Sequence, residues 1–235
     1  MILCLDAGNT RLKFGLRDGP DWALREALDY DDFDSLPRRL PDAPTRIVAC
    51  NVAGDLARRR IEDLAARMCV TLDWLQSSPL ACGVSNGYDT PGQLGADRWA
   101  ALIGARAQHA DACIVVLAGT ATTIDALDAQ GRFRGGLILP GLTMMRSALA
   151  RNTAGLPDAC GYYRQLATNT DDAIVSGALH ATLGAIERVR STLEAGATCL
   201  LSGGAAVELA PFVATPCRSI DNLVLEGLAR FSRPS

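Results

Sequence analysis

Residues 3–10, LCLDAGNT, come back half a chain later as residues 115–122, VVLAGTAT. In each, an apolar run meets x-Ala-Gly, a small polar residue follows, and the chain resumes an apolar–polar alternation. A continuous apolar run such as Ile2 to Leu5 suits a strand buried on both faces. Leu12, Phe14 and Leu16 alternate with Lys13, Gly15 and Arg17, which predicts a half-buried strand. Strand, tight turn, strand is a hairpin with an acid, Asp6, at its bend. Two such hairpins predict a degenerate internal duplication, two similar α/β halves facing each other. The plain alternative is coincidence, because strand–glycine–turn units are common.

Outward from these hairpins, the pattern alternates strands and helices. Ile47 to Val52 and "TLDWL" read as strands, and Leu56 to Met68 has helical spacing with its arginines outward. Residues 19–45 are acidic, proline-bearing and irregular. Residues 77–94 are rich in Gly, Pro, Ser and Asn and predict a loop. A helix is expected from Ala96 to about Gln108, with Trp99, Leu102, Ile103 and Ala107 on one side. Strands are expected at Cys113 to Leu117, Thr122 to Leu127, "RFRGGLILPG" and "ATCLLSGG". Helices are expected at Leu142 to Ala150, Thr170 to about Ala195 and Leu223 to Phe231, with a loop over residues 152–168.

Composition narrows the function. The 235 residues are 49% hydrophobic and 21% charged, enough for a sizeable core, and the net charge is −3. The basic residues are scattered, which excludes a nucleic-acid footprint. The eight cysteines are spread singly with no C-x-x-C; Cys4, Cys50, Cys113 and Cys199 sit in apolar runs and read as small core residues, and neither a metal site nor a disulfide framework is expected. The N-terminus meets Asp6 before any long apolar stretch, and no run of about 20 apolar residues follows. A soluble cytoplasmic protein with reduced thiols and no membrane contact is expected. Lys13 is the chain's only lysine among 23 Lys+Arg residues.

The chemistry gathers at the turns. Gly with small polar neighbours lets backbone N–H groups approach a phosphate closely. Asn9 and Thr10 add side-chain donors, Asp6 can hold magnesium through waters, and Lys13 can neutralise phosphate oxygens as a point charge. The second turn, Gly119 to Thr123, offers hydroxyls and amides from the other half, and Gly203-Gly204 suits the close approach of a flat adenosine. Two facing turns would clamp a phosphate chain in a cleft. The bland alternative for Asp6 to Asn9 is an ordinary Asx-type hairpin. In "NGYDTPGQLGADRW", Asp97 and Arg98 sit where loop enters helix. They read as a general base beside an anion clamp, or more simply as a first-turn acid complementing the helix dipole beside a surface arginine. Tyr88 either walls the acceptor pocket or is an exposed loop aromatic.

The ordered set "DAGNTRLK", "NGY", "GADRW", "GTATTID", "GGLILPGLTMM", "TAGLP", "NTDDAIVSG" and "LSGG" closely resembles the type III pantothenate kinases, including the Bvg accessory factor branch. The matches keep family order over nearly the whole chain. The resemblance implies the acetate-and-sugar-kinase, heat-shock-chaperone and actin (ASKHA) fold. That fold is α/β, two duplicated ribonuclease-H-like domains, here residues 1–110 and 111–235, with a central cleft. It implies ATP-dependent phosphorylation of the terminal hydroxyl of pantothenate, the first step toward coenzyme A. The phosphate loop would be Asp6, Ala7, Gly8, Asn9, Thr10, Arg11, Leu12 and Lys13, with Thr120 a further ATP contact. Asp97 would be the proton acceptor. Tyr88, Gly95, Ala96, Asp97 and Arg98 would bind pantothenate, and Thr170 would close its pocket from the partner subunit of a homodimer. Magnesium and an activating potassium or ammonium ion are expected, but the family's usual acid ligand for the monovalent cation is replaced here by Leu117. That departure favours a rival reading, a feeble kinase homologue with a regulatory role. A second rival is another phosphotransferase on the same fold, against which "GADR" and "NTDDAI" argue.

Overall fold

The computed structural model describes residues 1–232. The chain divides into two compact units. Among the described residues, one comprises Met1–Ala110, Gly131–Phe133 and residues 222–232; the other comprises Asp111–Gln130 and Arg134–Asp221. The chain's final helix thus returns to the first unit.

In the first unit, strands β1 (Ile2–Ala7), β2 (Arg11–Asp18), β3 (Asp21–Asp29), β4 (Arg46–Asn51) and β5 (Thr71–Trp74) form one sheet in the order β3-β2-β1-β4-β5. β1 pairs antiparallel with β2 and parallel with β4, which in turn pairs parallel with β5. A short helix α1 (Leu36–Arg39) follows β3, and helix α2 (Asp55–Met68) connects β4 to β5. Leu3, Leu5 and Ala7 of β1 and Leu12, Phe14 and Leu16 of β2 pack with Ile61 and Leu64 of α2 in one core. The opposite face of β1 is closed too: Cys4 is fully buried and Asp6 nearly so. The two-residue strands β6 (Leu80–Ala81) and β7 (Val84–Ser85) interrupt the expected loop, and α3 (Ala96–Gln108) follows as predicted.

In the second unit, β8 (Cys113–Ala118), β9 (Ala121–Leu127), β10 (Phe133–Pro140), β11 (Thr198–Ser202) and β12 (Cys217–Ser219) make a sheet ordered β10-β9-β8-β11-β12. β8 takes the place of β1, β9 of β2, β10 of β3, β11 of β4 and β12 of β5. The pairing senses known for both also match: β8 is antiparallel to β9 and parallel to β11. Helices α4 (Leu142–Asn152), α5 (Thr170–Arg190) and α6 (Ala206–Leu209) belong to this unit, and α7 (Leu223–Phe231) to the first. The repeat of residues 3–10 at 115–122 is therefore the visible remnant of a duplicated strand order. No helix among the described residues is long and apolar enough to cross a membrane.

Two expectations are corrected. Residues 19–45 are not irregular, since β3, a 3₁₀ turn at Tyr30–Ser35 and α1 occupy most of them. β3 is an edge strand whose few apolar residues face both ways: Leu24 and Leu28 lie across from Leu16 and Leu12, toward the α2 core, whereas Trp22, beyond a bulge, lies across from Arg17 on the Gly15 face. Its charged outer face and a bulge opposite Leu16/Arg17 hide the alternation. The long helix stops at Arg190 rather than near Ala195. The Ser-Thr pair there turns its hydroxyls onto the carbonyls of Arg188 and Val189 instead of extending the helix. The short elements α6 and β12 lay in stretches with no readable period.

The segment before α5 is fastened to that helix by its first-turn acids. The N–H of Cys160 donates to Asp171 and that of Tyr162 to Asp172, at 2.7 Å, while Arg164 N–H donates to Ser176 Oγ. Asn169 caps the helix by accepting from Asp172 N–H and donates to its carboxylate. These hydrogen bonds, the Tyr162 amide first, hold the Asp172 carboxyl below its ordinary 3.8. Because the folded state prefers the ionised form, this contribution is complete above the ordinary carboxylate range. It is lost as pH falls through that range toward the lower folded value. Urea melts between pH 7 and pH 3 should therefore show a steeper acid loss for the native chain than for Asp172→Asn, and parallel curves would refute the assignment.

Candidate active site

Asp6 is the first functional side chain the fold places. It is the last residue but one of β1, on the face away from the α2 core, with its side chain 4% exposed. Register sets its neighbours: Lys13 lies directly across on β2 and Cys50 directly across on β4. Lys13 Nζ stands 3.6 Å from Asp6 Oδ2, and Cys50 Sγ donates to Oδ1 at 3.6 Å. Burial pushes the Asp6 carboxyl up, the Lys13 ammonium pulls it down, and the Asp97 charge pushes it up again. Burial beside the same carboxylate drives the Cys50 thiol well above its usual value, which keeps it a hydrogen-bond donor.

The turn after β1 is a compact backbone unit. Gly8 N–H donates to the carbonyls of Asp6 and Arg11, at 3.2 Å each. Tyr30, just beyond β3, donates its hydroxyl to the Gly8 carbonyl at 2.7 Å. Arg11 turns aside to Asp29, 2.9 Å away. Ala7 and Leu12 are core residues, so any contribution they make to a ligand is through backbone. Asn9 and Thr10 are exposed at the tip, and Lys13 is half-exposed.

Asp97 and Arg98 open α3. Asp97 Oδ1 accepts from the Arg98 N–H at 2.8 Å, so the first-turn role that sequence allowed is realised. Gly95 precedes it because a Cβ there would stand 2.7 Å from Asp97 Oδ1. Arg98 is not a surface arginine. It is 4% exposed, donates from Nη1 to Tyr88 Oη at 2.8 Å, and lies over the rings of Tyr88 and Phe133. Tyr88 and Phe133 are themselves 5.3 Å apart, centroid to centroid. The loop that carries Tyr88 is shaped by Asn86, which accepts from Tyr88 N–H and donates to Pro91 O and Ser77 Oγ. A pocket of about 410 Å³ opens beside Ala96, lined also by Asn51, Val52, Arg58 and Trp74.

The first unit thus holds Asp6 with Lys13, and Asp97 with Arg98 and Tyr88, and the Asp97 charge adds to the upward push on the Asp6 carboxyl. Cys50, Tyr30, Asn86 and Phe133 were missed by sequence reasoning. They act through side chains that reach from elsewhere in the chain, and only the "NGY" match touched one of them. Thr120 and Thr170 lie in the second unit. Thr120 is exposed in the β8–β9 turn, and its carbonyl accepts from Gly141 N–H. Gly203, at φ +103°, packs against the Ala118 backbone where no Cβ fits. Thr170 starts α5 at the edge of an apolar pocket of about 1040 Å³, whose walls include Met145, Leu149 and Ile174.

Comparison with known proteins converges on one description. The family model for type III pantothenate kinase matches residues 2–192. A type III pantothenate kinase of Aromatoleum aromaticum is 49% identical over 99% of this chain and 98% of its own length. Among solved structures, a Baf family transcriptional activator from Campylobacter jejuni superposes with a TM-score of 0.67 at 22% identity, covering 97% of this chain and 96% of that one. A 2-dehydro-3-deoxygalactonokinase protein from Sinorhizobium meliloti superposes with a TM-score of 0.59 at 15% identity, covering 99% and 98%. These superpositions place the fold among the ASKHA kinases and actin-like proteins.

Proposed function

The chain belongs to the type III pantothenate kinases, which phosphorylate pantothenate with ATP in coenzyme A biosynthesis, and we propose that it carries out this reaction with Asp97 as the base. In this reading Asp97 Oδ1 stays bound to the helix N–H while Oδ2 takes the proton of the terminal hydroxyl of pantothenate. The freed oxygen attacks the γ-phosphorus and ADP leaves. Arg98, with its guanidinium fixed by Tyr88 and Phe133, receives the substrate carboxylate; Gly95, Ala96 and Tyr88 shape the pocket. The amides from Asp6 to Lys13 cradle the phosphates and Lys13 neutralises them. Positioning and charge stabilisation are most of what phosphoryl transfer needs. The observation that carries the proposal is the convergence of Asp6, Lys13 and Asp97 in one unit, with each element dictated by strand register or a helix start.

Magnesium suits a site with a single carboxylate. Among the described residues no cluster of three acids, histidines or cysteines could cage an ion alone. Asp6, through water, and the nucleotide phosphates would hold it, and it would neutralise charge on the transferring group. The Leu117 side chain offers no oxygen to a monovalent cation, so such an ion would have to rest on backbone carbonyls. Thr120 as an ATP contact and Thr170 as a pantothenate contact from a partner subunit enter on family resemblance. A homodimer built on the second unit is supported by its exposed Leu137, Ile138, Met144, Leu149 and Leu166. We place the enzyme in the cytoplasm.

A coupled ADP-release assay with pantothenate, run with and without potassium or ammonium, tests the proposal. Pantothenate-dependent turnover supports it. Its absence in every salt supports a regulatory homologue, and turnover only with another alcohol supports a different phosphotransferase. Lys13→Arg should raise the KM for ATP and lower turnover several-fold. The planar guanidinium cannot replace a compact ammonium beside Asp6, and unchanged constants would remove the special role of the lone lysine.

A further inference from the structure

Helix α7 lies beyond residues 2–192, the span of the family match, yet it is packed against the helix that carries Asp97. Contact is backbone to backbone. A Cβ on Gly227 would run into the carbonyl of Ala100, and a Cβ on Gly104 would run into the carbonyl of Leu223. Ala100 is one turn past Ala96, so the closest approach falls beside the first turn of α3. The other side of α7 is tied to the sheet. Glu226 accepts from Arg17 Nη1 at 3.0 Å and from Trp22 Nε1 at 2.7 Å. The Arg17 guanidinium lies 4.9 Å from the Trp22 ring centroid. Arg17 is on β2, the same strand that holds Lys13 opposite Asp6. Asn222 caps α7 by accepting from Leu225 N–H, and Leu223, Leu225 and Leu228 are fully buried.

We propose that α7 is a positioning device for phosphoryl transfer. Gly227, through Ala100, and Glu226, through Arg17 and Trp22, fix where the first turn of α3 stands relative to the end of β1. Asp97 and Arg98 are thereby held at working distance from Asp6 and Lys13. Neither Gly227 nor Glu226 touches substrate; both act through the helix and strand they join. Helices in contact sit 8–10 Å apart according to the side chains between them, so a methyl group at this crossing must push α3 outward. A displacement of about 1 Å at reacting groups can cost on the order of 10² in rate. The inference rests on the proposed role of Asp97.

The test compares the full chain with Gly227→Ala, Glu226→Gln and Glu226→Ala, with each assayed well below its own melting temperature. Gly227→Ala should lower kcat/KM for pantothenate by at least about tenfold and leave the KM for ATP within about twofold. Glu226→Ala should shift the same constants in the same direction. Glu226→Gln, which keeps an acceptor for Trp22 Nε1 but none for Arg17, should recover part of that loss. A lower melting temperature with native kinetics, or a parallel rise in both KM values, overturns the proposal. If Gly227→Ala does not fold, the Glu226 pair decides on the same criteria. Asp97→Asn separates the two layers. If it is inactive while Gly227→Ala and Glu226→Ala are kinetically native, the base assignment stands and the inference about α7 fails. If Asp97→Asn is fully active, the premise itself fails.

Discussion

Asp97→Asn will lower turnover by about 10²-fold or more while nucleotide still binds. The substitution is close to isosteric. An asparagine Oδ1 can accept from the Arg98 N–H as the carboxylate does at 2.8 Å, so the start of α3 and the fold are retained. What disappears is the capacity to take a proton from an alcohol and the negative charge that orients its O–H. The melting temperature should stay near native, and nucleotide affinity measured by calorimetry should change little. The loss should appear in kcat with pantothenate. Near-native turnover would show that Asp97 is only a first-turn acid, the simpler role its sequence position also allowed.

Arg98→Ala will chiefly weaken pantothenate. Losing a charge-assisted hydrogen bond costs about 2 kcal/mol, which is roughly a 30-fold rise in KM, with the KM for ATP unaffected. The structure adds a second contribution. Arg98 is buried beside the contacting rings of Tyr88 and Phe133 and donates to Tyr88 Oη, so truncation also removes the cation that this ring pair faces. Arg98→Lys should recover only part of the affinity, because an ammonium lacks the planar fork that lies against the rings while reaching a carboxylate. Tyr88→Phe, which keeps the ring and drops the hydroxyl, should give a smaller rise. Equal effects on both substrates would place Arg98 in the scaffold rather than the acceptor pocket.

The parts of the fold legible in sequence are those where burial imposes a period. β1 and β8 are apolar runs because both faces are covered, and β2 alternates because residues 12, 14 and 16 reach the α2 core. β3 was illegible because its bulge breaks the alternation between Trp22 and Leu24, and its exposed Asp21, Arg25 and Asp29 read as loop. The site divides in the same way. Asp6, Lys13, Asp97 and Arg98 announce themselves by type and spacing at a strand end, a cross-strand position and a helix start. The groups that orient them do not. Cys50 looks like any small core residue until register sets it against Asp6. Phe133 reaches Arg98 from a three-residue stretch, Gly131–Phe133, that the chain sends back to the first unit from the midst of the second. No local pattern encodes such a return.

The distribution of thiols has a practical consequence. Cys4, Cys50, Cys113 and Cys199 are sealed from solvent, and burial drives the Cys4 thiol up to about 12, so reagents that attack thiolates will pass them by. Cys69 and Cys160 are exposed, one in each unit. Cys82 and Cys217 are partly exposed, so with those two replaced by serine, brief treatment with a maleimide pair at neutral pH should place fluorophores at Cys69 and Cys160. Energy transfer between them would then report, in real time, whether nucleotide draws the two units together.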